Sequence, residues 1–188
     1  METLETIFYI SVAVWFLTEI YYKRILKSDE TAEKKDNSTL NILWIVIMPS
    51  IFLGVFISKT TAFKITYQDW IYFSGLSMII TGVFIRWIII RSLGKYFTVD
   101  VSIRQDHNIK QDGIYQILRH PSYSFALLTF LGLGLYLNNW ISLITVFIPV
   151  CIAFRYRIAV EEKALIETFG DDYLNYRKRT KMLIPLIY

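Results

Sequence analysis

The chain has 188 residues, of which 54% are hydrophobic, 16% aromatic and only 19% charged. A mean hydropathy of +0.41 excludes an intrinsically disordered chain, which needs low hydrophobicity and high charge, and the single cysteine, Cys151, excludes a disulfide scaffold. The net charge of +4 admits a nucleic-acid partner, but the placement of the basic residues argues for a membrane instead.

A spanning helix needs about 20 mostly apolar residues. The first such run goes from Leu4 to Tyr22 and is interrupted only by Glu5 and Glu19. No Lys or Arg precedes it and no small-x-small cleavage pattern follows, so a retained helix is expected rather than a signal peptide. A charged connector, Lys27 to Ser38, leads to the second run, Leu40 to Ser58, where Pro49 predicts a kink. The third run, Trp70 to Ile90, carries Arg86 near its end. The stretch from Ser92 to Arg119 is long for a connection. With Phe97, Val99, Ile109, Ile114 and Ile117 it is too apolar for disorder, and a folded loop against the membrane face is expected. The fourth run is Pro121 to Leu137 and the fifth is Trp140 to about Phe154. Only Asn138 and Asn139 part them, which predicts a tight helical hairpin. From Ala159 to Thr180 the residues Leu165, Ile166, Phe169, Tyr173 and Tyr176 recur at helical spacing, with Gly170 placed to cap the first part.

These elements predict an all-α, polytopic membrane protein with about five transmembrane helices and a C-terminal amphipathic helix. It reads as a single domain over 1–188, with three spans in 1–91 and the functional half in 92–188. Eighteen of the 20 Lys and Arg residues lie between the first and second helices, between the core of the third helix and the fourth, or after the fifth, while Lys59 and Lys64 alone fall in the second-to-third loop. Positive residues favour the cytoplasmic side, so the N-terminus is expected outside and the C-terminus in the cytoplasm. The basic balance thus reads as topology and contact with anionic membrane lipids, with no nucleic-acid partner.

No metal site is expected, because His107, His120 and Cys151 have no ligand spacing. The chain has no Gly-x-Ser-x-Gly elbow, no Walker loop and no Gly-x-Gly-x-x-Gly. Gly132-Leu133-Gly134 reads as a helix-packing pattern. Arg119-His120-Pro121-Ser122-Tyr123 opens the fourth helix. Pro suits a first helical turn, and a helix N-terminus also favours a carboxylate or phosphate. Arg157 and Glu161 are four apart and share a helix face at the hydrocarbon boundary. They form a surface ion pair or, facing inward, a site that holds a cationic ligand beside an anionic one. His107, Gly113 and Tyr115 lie in the folded loop.

In order, these segments read His107-x5-Gly113-x-Tyr115-x3-Arg119-His120-Pro121-Ser122-Tyr123, a helical hairpin, Arg157-x3-Glu161-Glu162, Leu165, Phe169-Gly170, Tyr173, Tyr176 and Ile184-Pro185. The combination resembles the isoprenylcysteine carboxyl methyltransferase family of integral membrane methyltransferases, over about Leu93 to Pro185. The resemblance implies S-adenosylmethionine (S-adenosyl-L-methionine, SAM) as cofactor without a Rossmann domain. It implies cofactor binding by His107, Asn108, Ile109, Lys110, Tyr115, His120, Pro121, Ser122, Tyr123 and Glu161, and substrate binding by Arg157. Asn108 and Lys110 are more polar than the family pattern, and Phe125 stands where a Gly is usual in eukaryotic members. The implied substrate is a lipophilic carboxylate of isoprenylcysteine type. Such an acid is ionised at neutral pH and needs no base, whereas an amine or phenol acceptor would need one, with Glu162 and His120 as candidates. The alternatives are methylation of another lipid group, a phospholipid amine or a lipophilic phenol or enol, and a non-catalytic membrane protein on the same scaffold. Helix cores almost bare of charge count against a transport path.

Overall fold

A computed structural model describes residues 2–25, 33–36, 39–94, 101–103 and 109–185. The helices are α1 (Glu2–Ile25), α2 (Thr39–Thr60), α3 (Trp70–Leu93), α4 (Pro121–Tyr136), α5 (Trp140–Phe169) and α6 (Asp171–Arg179), with a 3-10 turn at Gly113–Gln116. The starts at Trp70, Pro121 and Trp140 are those expected from the apolar runs. Among the described residues, α1, α2, α3 and α5 are long and apolar enough to cross a membrane. Phe52, Phe56, Phe73 and Phe84 are between 58% and 70% exposed. Apolar surface of that extent suits lipid rather than water.

The helices pack as antiparallel partners through small residues. On α3, Gly75 and Gly82 face Gly132 and Thr129 of α4. A Cβ on Gly75 would stand 2.7 Å from the Gly132 carbonyl oxygen, and one on Gly82 would stand 2.7 Å from the Phe125 carbonyl oxygen. These backbones therefore touch, as small-xxx-small seams allow in lipid. Gly54 of α2 meets Val146 and Ser142 of α5 in the same manner. The Ser142 hydroxyl donates to the Gly54 carbonyl at 2.8 Å. α1 joins through aromatic contacts, with Phe8 stacked on Tyr136 and Trp15 edge-on to Phe130. It also joins through an ion pair from Glu19 to Arg86 at 3.3 Å.

The helix α4 has 16 residues, about 24 Å at 1.5 Å per residue, short of a full hydrocarbon core. Its contacts nevertheless run from Arg86, which donates to the Ser122 carbonyl, to Tyr72, whose ring lies edge-on to Tyr136. It thus passes between the same two polar ends as its neighbours. One end is closed by Asn138 and Asn139. The Asn139 side chain accepts from the backbone of Ile141 and Ser142 and donates to Thr61. Asn138, at φ +46°, bonds to Thr66 and the Tyr72 hydroxyl.

Two features differ from the sequence expectation. First, α5 does not end near Phe154. It runs unbroken for 30 residues, through Pro149, to Phe169, and Gly170 at φ +53° turns the chain into α6. Hydropathy falls after Phe154 because charged residues begin there, but helicity does not depend on hydropathy. Second, a short two-stranded ribbon accompanies the helices of this otherwise all-α fold. Glu33–Asp36 (β1) pairs antiparallel with Val101–Ile103 (β2), with a register shift between Lys34 and Asp36. The connector has no apolar alternation to signal a strand, and its pairing is long-range. α2 is continuous through Pro49.

Replacing Gly75 with Leu should force α3 and α4 apart and cost at least about 1–3 kcal/mol. A thermal melt in detergent should show a clear fall in midpoint. Asn139→Ala, which removes a helix cap, should cost about 1–2 kcal/mol by the same measurement. A Gly75→Leu protein melting like the native one would contradict the seam.

Candidate functional site

At the end opposite the asparagines, four segments converge on α5. They are the start of α2, the stretch 115–124 leading into α4, α6, and the tail at 180–183. The tail runs beside residues 117–120 as a short parallel bridge. Lys181 donates its backbone N–H to the Ile117 carbonyl at 2.8 Å, and Arg119 donates to the Lys181 carbonyl at 2.8 Å. His120 donates its N–H to Met182, and the Ser124 hydroxyl donates to the Leu183 carbonyl at 2.6 Å. α6 is short and helical because Asp171 and Asp172 open it and Arg177, Lys178 and Arg179 close it, matching the helix dipole at both ends.

Two carboxylates, adjacent on α5, have different surroundings. The Glu162 side chain is 7% exposed. Its Oε1 accepts from Arg119 Nε at 2.8 Å and lies 3.3 Å from His120 Nε2 and 3.4 Å from the Tyr173 hydroxyl. Its Oε2 is 3.5 Å from Arg177 Nη2. Arg119 also donates to the carbonyls of Arg177 and Thr180. This is a tie that binds α5, the α4 entry and α6 together.

Glu161 is more open, with its side chain 32% exposed. Its Oε2 accepts from the Tyr123 hydroxyl at 3.0 Å, and His120 Nδ1 is 3.7 Å from its Oε1. The Tyr123 oxygen in turn accepts from Arg157 Nε at 2.9 Å, and Arg157 Nη1 donates to the buried Thr39 hydroxyl at 2.7 Å. The four-residue spacing of Arg157 and Glu161 therefore does face inward, and a phenol bridges the two. A buried guanidinium and a partly exposed carboxylate stand side by side, the arrangement needed to hold an anion next to a cation.

Tyr115, Tyr173 and Tyr176 form a buried wall beyond the carboxylates. Burial raises the Tyr173 phenol above its ordinary value, with nearby Glu162 adding to it. Burial pushes Tyr176 up to about 12, and burial followed by Glu161 raises Tyr115. All three hydroxyls therefore stay protonated. Tyr176 donates to the Tyr115 carbonyl at 2.7 Å and Tyr173 donates to Glu162.

Among the remaining candidates, Pro121 is the buried first residue of α4 and Ser122 offers its carbonyl to Arg86. Ile109 and Lys110 are half-buried. Lys110 pairs with Asp112 at 3.1 Å and sits over the Tyr115 ring. His107 and Asn108 lie outside the described residues. Tyr115, His120, Tyr123, Arg157, Glu161 and Glu162 thus come together. Sequence reasoning missed Thr39 as a partner of the site and missed Arg119 as its central cation, having given Arg119 to membrane topology. It took Tyr173 and Tyr176 as apolar stripe. The one available signal was that both carry a hydroxyl on the stripe's inner face.

The family model described as Phospholipid methyltransferase matches residues 70–172. Protein-S-isoprenylcysteine O-methyltransferase B of Arabidopsis thaliana is 38% identical over 120 residues, 63% of this chain and 61% of that protein. The protein-S-isoprenylcysteine O-methyltransferase of Schizosaccharomyces pombe is 34% identical over 116 residues, 61% of this chain and 49% of the relative. That of Homo sapiens is 32% identical over 120 residues, 63% and 42% respectively. The chain therefore spans between about two fifths and three fifths of the length of these curated relatives. The matched stretch takes in α3, α4, all of α5 and the start of α6, more than half of the chain. It holds every carboxylate and cation of the site except Arg177, and the chain belongs to the phospholipid methyltransferase family.

Proposed function

We propose that the protein is a SAM-dependent methyltransferase that esterifies the carboxylate of a lipophilic acid of isoprenylcysteine type, at the cytoplasmic face of the membrane. The observation that carries this reading is the chain Arg157–Tyr123–Glu161, which sets an acid-binding cation beside an accessible acceptor. The names of the relatives supply the acid, and the methyl donor follows from the activity those names describe. The topology is the five-span one, with α4 as the short fourth span, which puts the basic clusters and the site on the cytoplasmic side.

The residues present fit SAM. Glu161 is a partly exposed carboxylate suited to an ammonium or to ribose hydroxyls. The N-terminus of α4 suits a carboxylate, and Tyr115 and His120 close the same wall. When bound, the cofactor supplies an electrophilic methyl group. Arg157 holds the substrate carboxylate in a paired, charge-assisted contact and fixes the direction from which its oxygen approaches. Alignment of this kind can supply about 7–11 kcal/mol of rate enhancement. A carboxylate nucleophile arrives without a proton, so no residue has to act as base. In this reading Glu162, locked by Arg119, Tyr173 and His120, is scaffold. α6 and the tail exclude water from above, and a lipid tail enters sideways from the bilayer.

The family's description favours a second reading, transfer to a phospholipid amine. An amine must lose a proton, and His120, between the two carboxylates, is the group placed to take it. The pH–rate profile separates the two. An acid acceptor gives a flat profile between about pH 6 and 8, whereas an amine acceptor gives a rate that climbs with pH.

Calorimetric titration of SAM into detergent-purified protein should give binding that Glu161→Ala weakens by about tenfold or more. Arg157→Ala should leave that binding within about twofold and lower kcat/KM for a farnesylcysteine acid by about a hundredfold. Native turnover in both variants would sink these roles. Glu162→Gln keeps an acceptor for Arg119 and should lower the thermal midpoint while retaining most of kcat. Loss of kcat with an unchanged melt would instead make Glu162 the base.

A further inference from the structure

Thr39 belongs to α2, outside the stretch that matches the family, and it is 1% exposed. It reaches the site through a helix register. Fifteen residues separate Thr39 from Gly54 on α2, and fifteen separate Ser142 from Arg157 on α5. The two helices run antiparallel and are pinned where Ser142 donates to the Gly54 carbonyl and the absent Cβ lets the helices close. Equal spacing from that pin carries Thr39 to the level of Arg157. There its Oγ1 accepts from Arg157 Nη1 at 2.7 Å, while the Tyr123 oxygen accepts from Arg157 Nε at 2.9 Å.

Acceptors on two different nitrogens help to fix the plane of a guanidinium, and the loss of either loosens it. Carboxylate recognition by arginine depends on that plane, because the paired contact is a matched fork. Threonine is suited to the task, since branching at Cβ restricts its own χ1. We infer that Thr39 is a positioning residue that orients Arg157 for a substrate carboxylate, so that the first turn of α2 sets affinity for the acid. This rests on the reading of Arg157 proposed above.

The test is steady-state methylation of N-acetyl-S-farnesylcysteine, with its neutral methyl ester as competitive inhibitor and SAM binding measured in parallel. Thr39→Val keeps the shape and removes the acceptor. Loss of one hydrogen bond to a charged group corresponds to about 10- to 100-fold. Thr39→Val should therefore raise KM for the acid by about tenfold or more, leaving kcat within about threefold. It should leave the ester inhibition constant and SAM affinity within about twofold. Thr39→Ser should restore KM to within about threefold of native. Where Thr39→Val fails to fold, Thr39→Ala serves as the acceptor-free variant and is read in the same way. An unchanged acid KM overturns the inference. So does a parallel rise in acid KM, ester constant and SAM dissociation constant, which would mark general damage to the site. Thr39→Ser as impaired as Thr39→Val overturns it too. A native protein that does not methylate the acid overturns the proposed function and this inference with it. Native turnover with an indifferent Thr39→Val overturns the inference alone.

Discussion

The buried pair between Glu162 and Arg119 is the contact on which this end of the molecule depends. Removing two charges from water is expensive, and their attraction offsets this only when the remaining lone pairs and protons are also met. Here they are: Tyr173, His120 and Arg177 surround the carboxylate, and the carbonyls of Arg177 and Thr180 take the other end of Arg119. Loss of one partner would leave a buried charge alone, typically a penalty of about 3–5 kcal/mol. Because the pair joins α5 to the α4 entry and to α6, the neighbouring Glu161 and Tyr123 inherit their positions from it. One carboxylate is enclosed by its partners, and the adjacent one stays partly exposed.

The middle of the molecule obeys a different constraint. Within hydrocarbon, backbone groups must be satisfied inside their own helices, and association between helices depends on close packing rather than on burial from water. The seams at Gly75 with Gly132 and at Gly54 with Val146 meet that need. Glu19 and Arg86 neutralise each other at the site end. Polar side chains thus gather toward the two ends, one closed by the asparagine caps and the other carrying Arg119, Arg157, Glu161 and Glu162.

Much of the fold was legible because apolar runs bounded by polar residues have one physical reading. Trp70, Pro121 and Trp140 start helices where the pattern says so, and the Asn138–Asn139 turn is tight as expected. The continuation of α5 past Phe154 was not legible, since the feature followed was hydropathy and the helix outlasts it. The pairing of β1 with β2 was not legible either, because strand partners far apart in sequence leave no local mark. His120, Tyr123, Arg157 and Glu161, singled out as candidates at the entry to the fourth helix, by the four-residue spacing and by the resemblance, do lie together. The role of Arg119 was hidden because a basic residue near a membrane already has an ordinary explanation. Only the fold shows that it points inward. Thr39 has no signal in sequence at all, as its relevance is a matter of helix register.

The unbroken course of α5 makes it a measuring rod. Eighteen residues separate the cap at Asn139 from Arg157, about 27 Å of helix at 1.5 Å per residue, close to the thickness of a hydrocarbon core. Both ends are bolted to neighbouring helices, so the height of Arg157 above the far leaflet is set by covalent length. The guanidinium is therefore held inside the protein at the level where a hydrocarbon core of that thickness ends. That level is shared by Tyr123 and Thr39, which bond to Arg157 from the two helices packed beside α5.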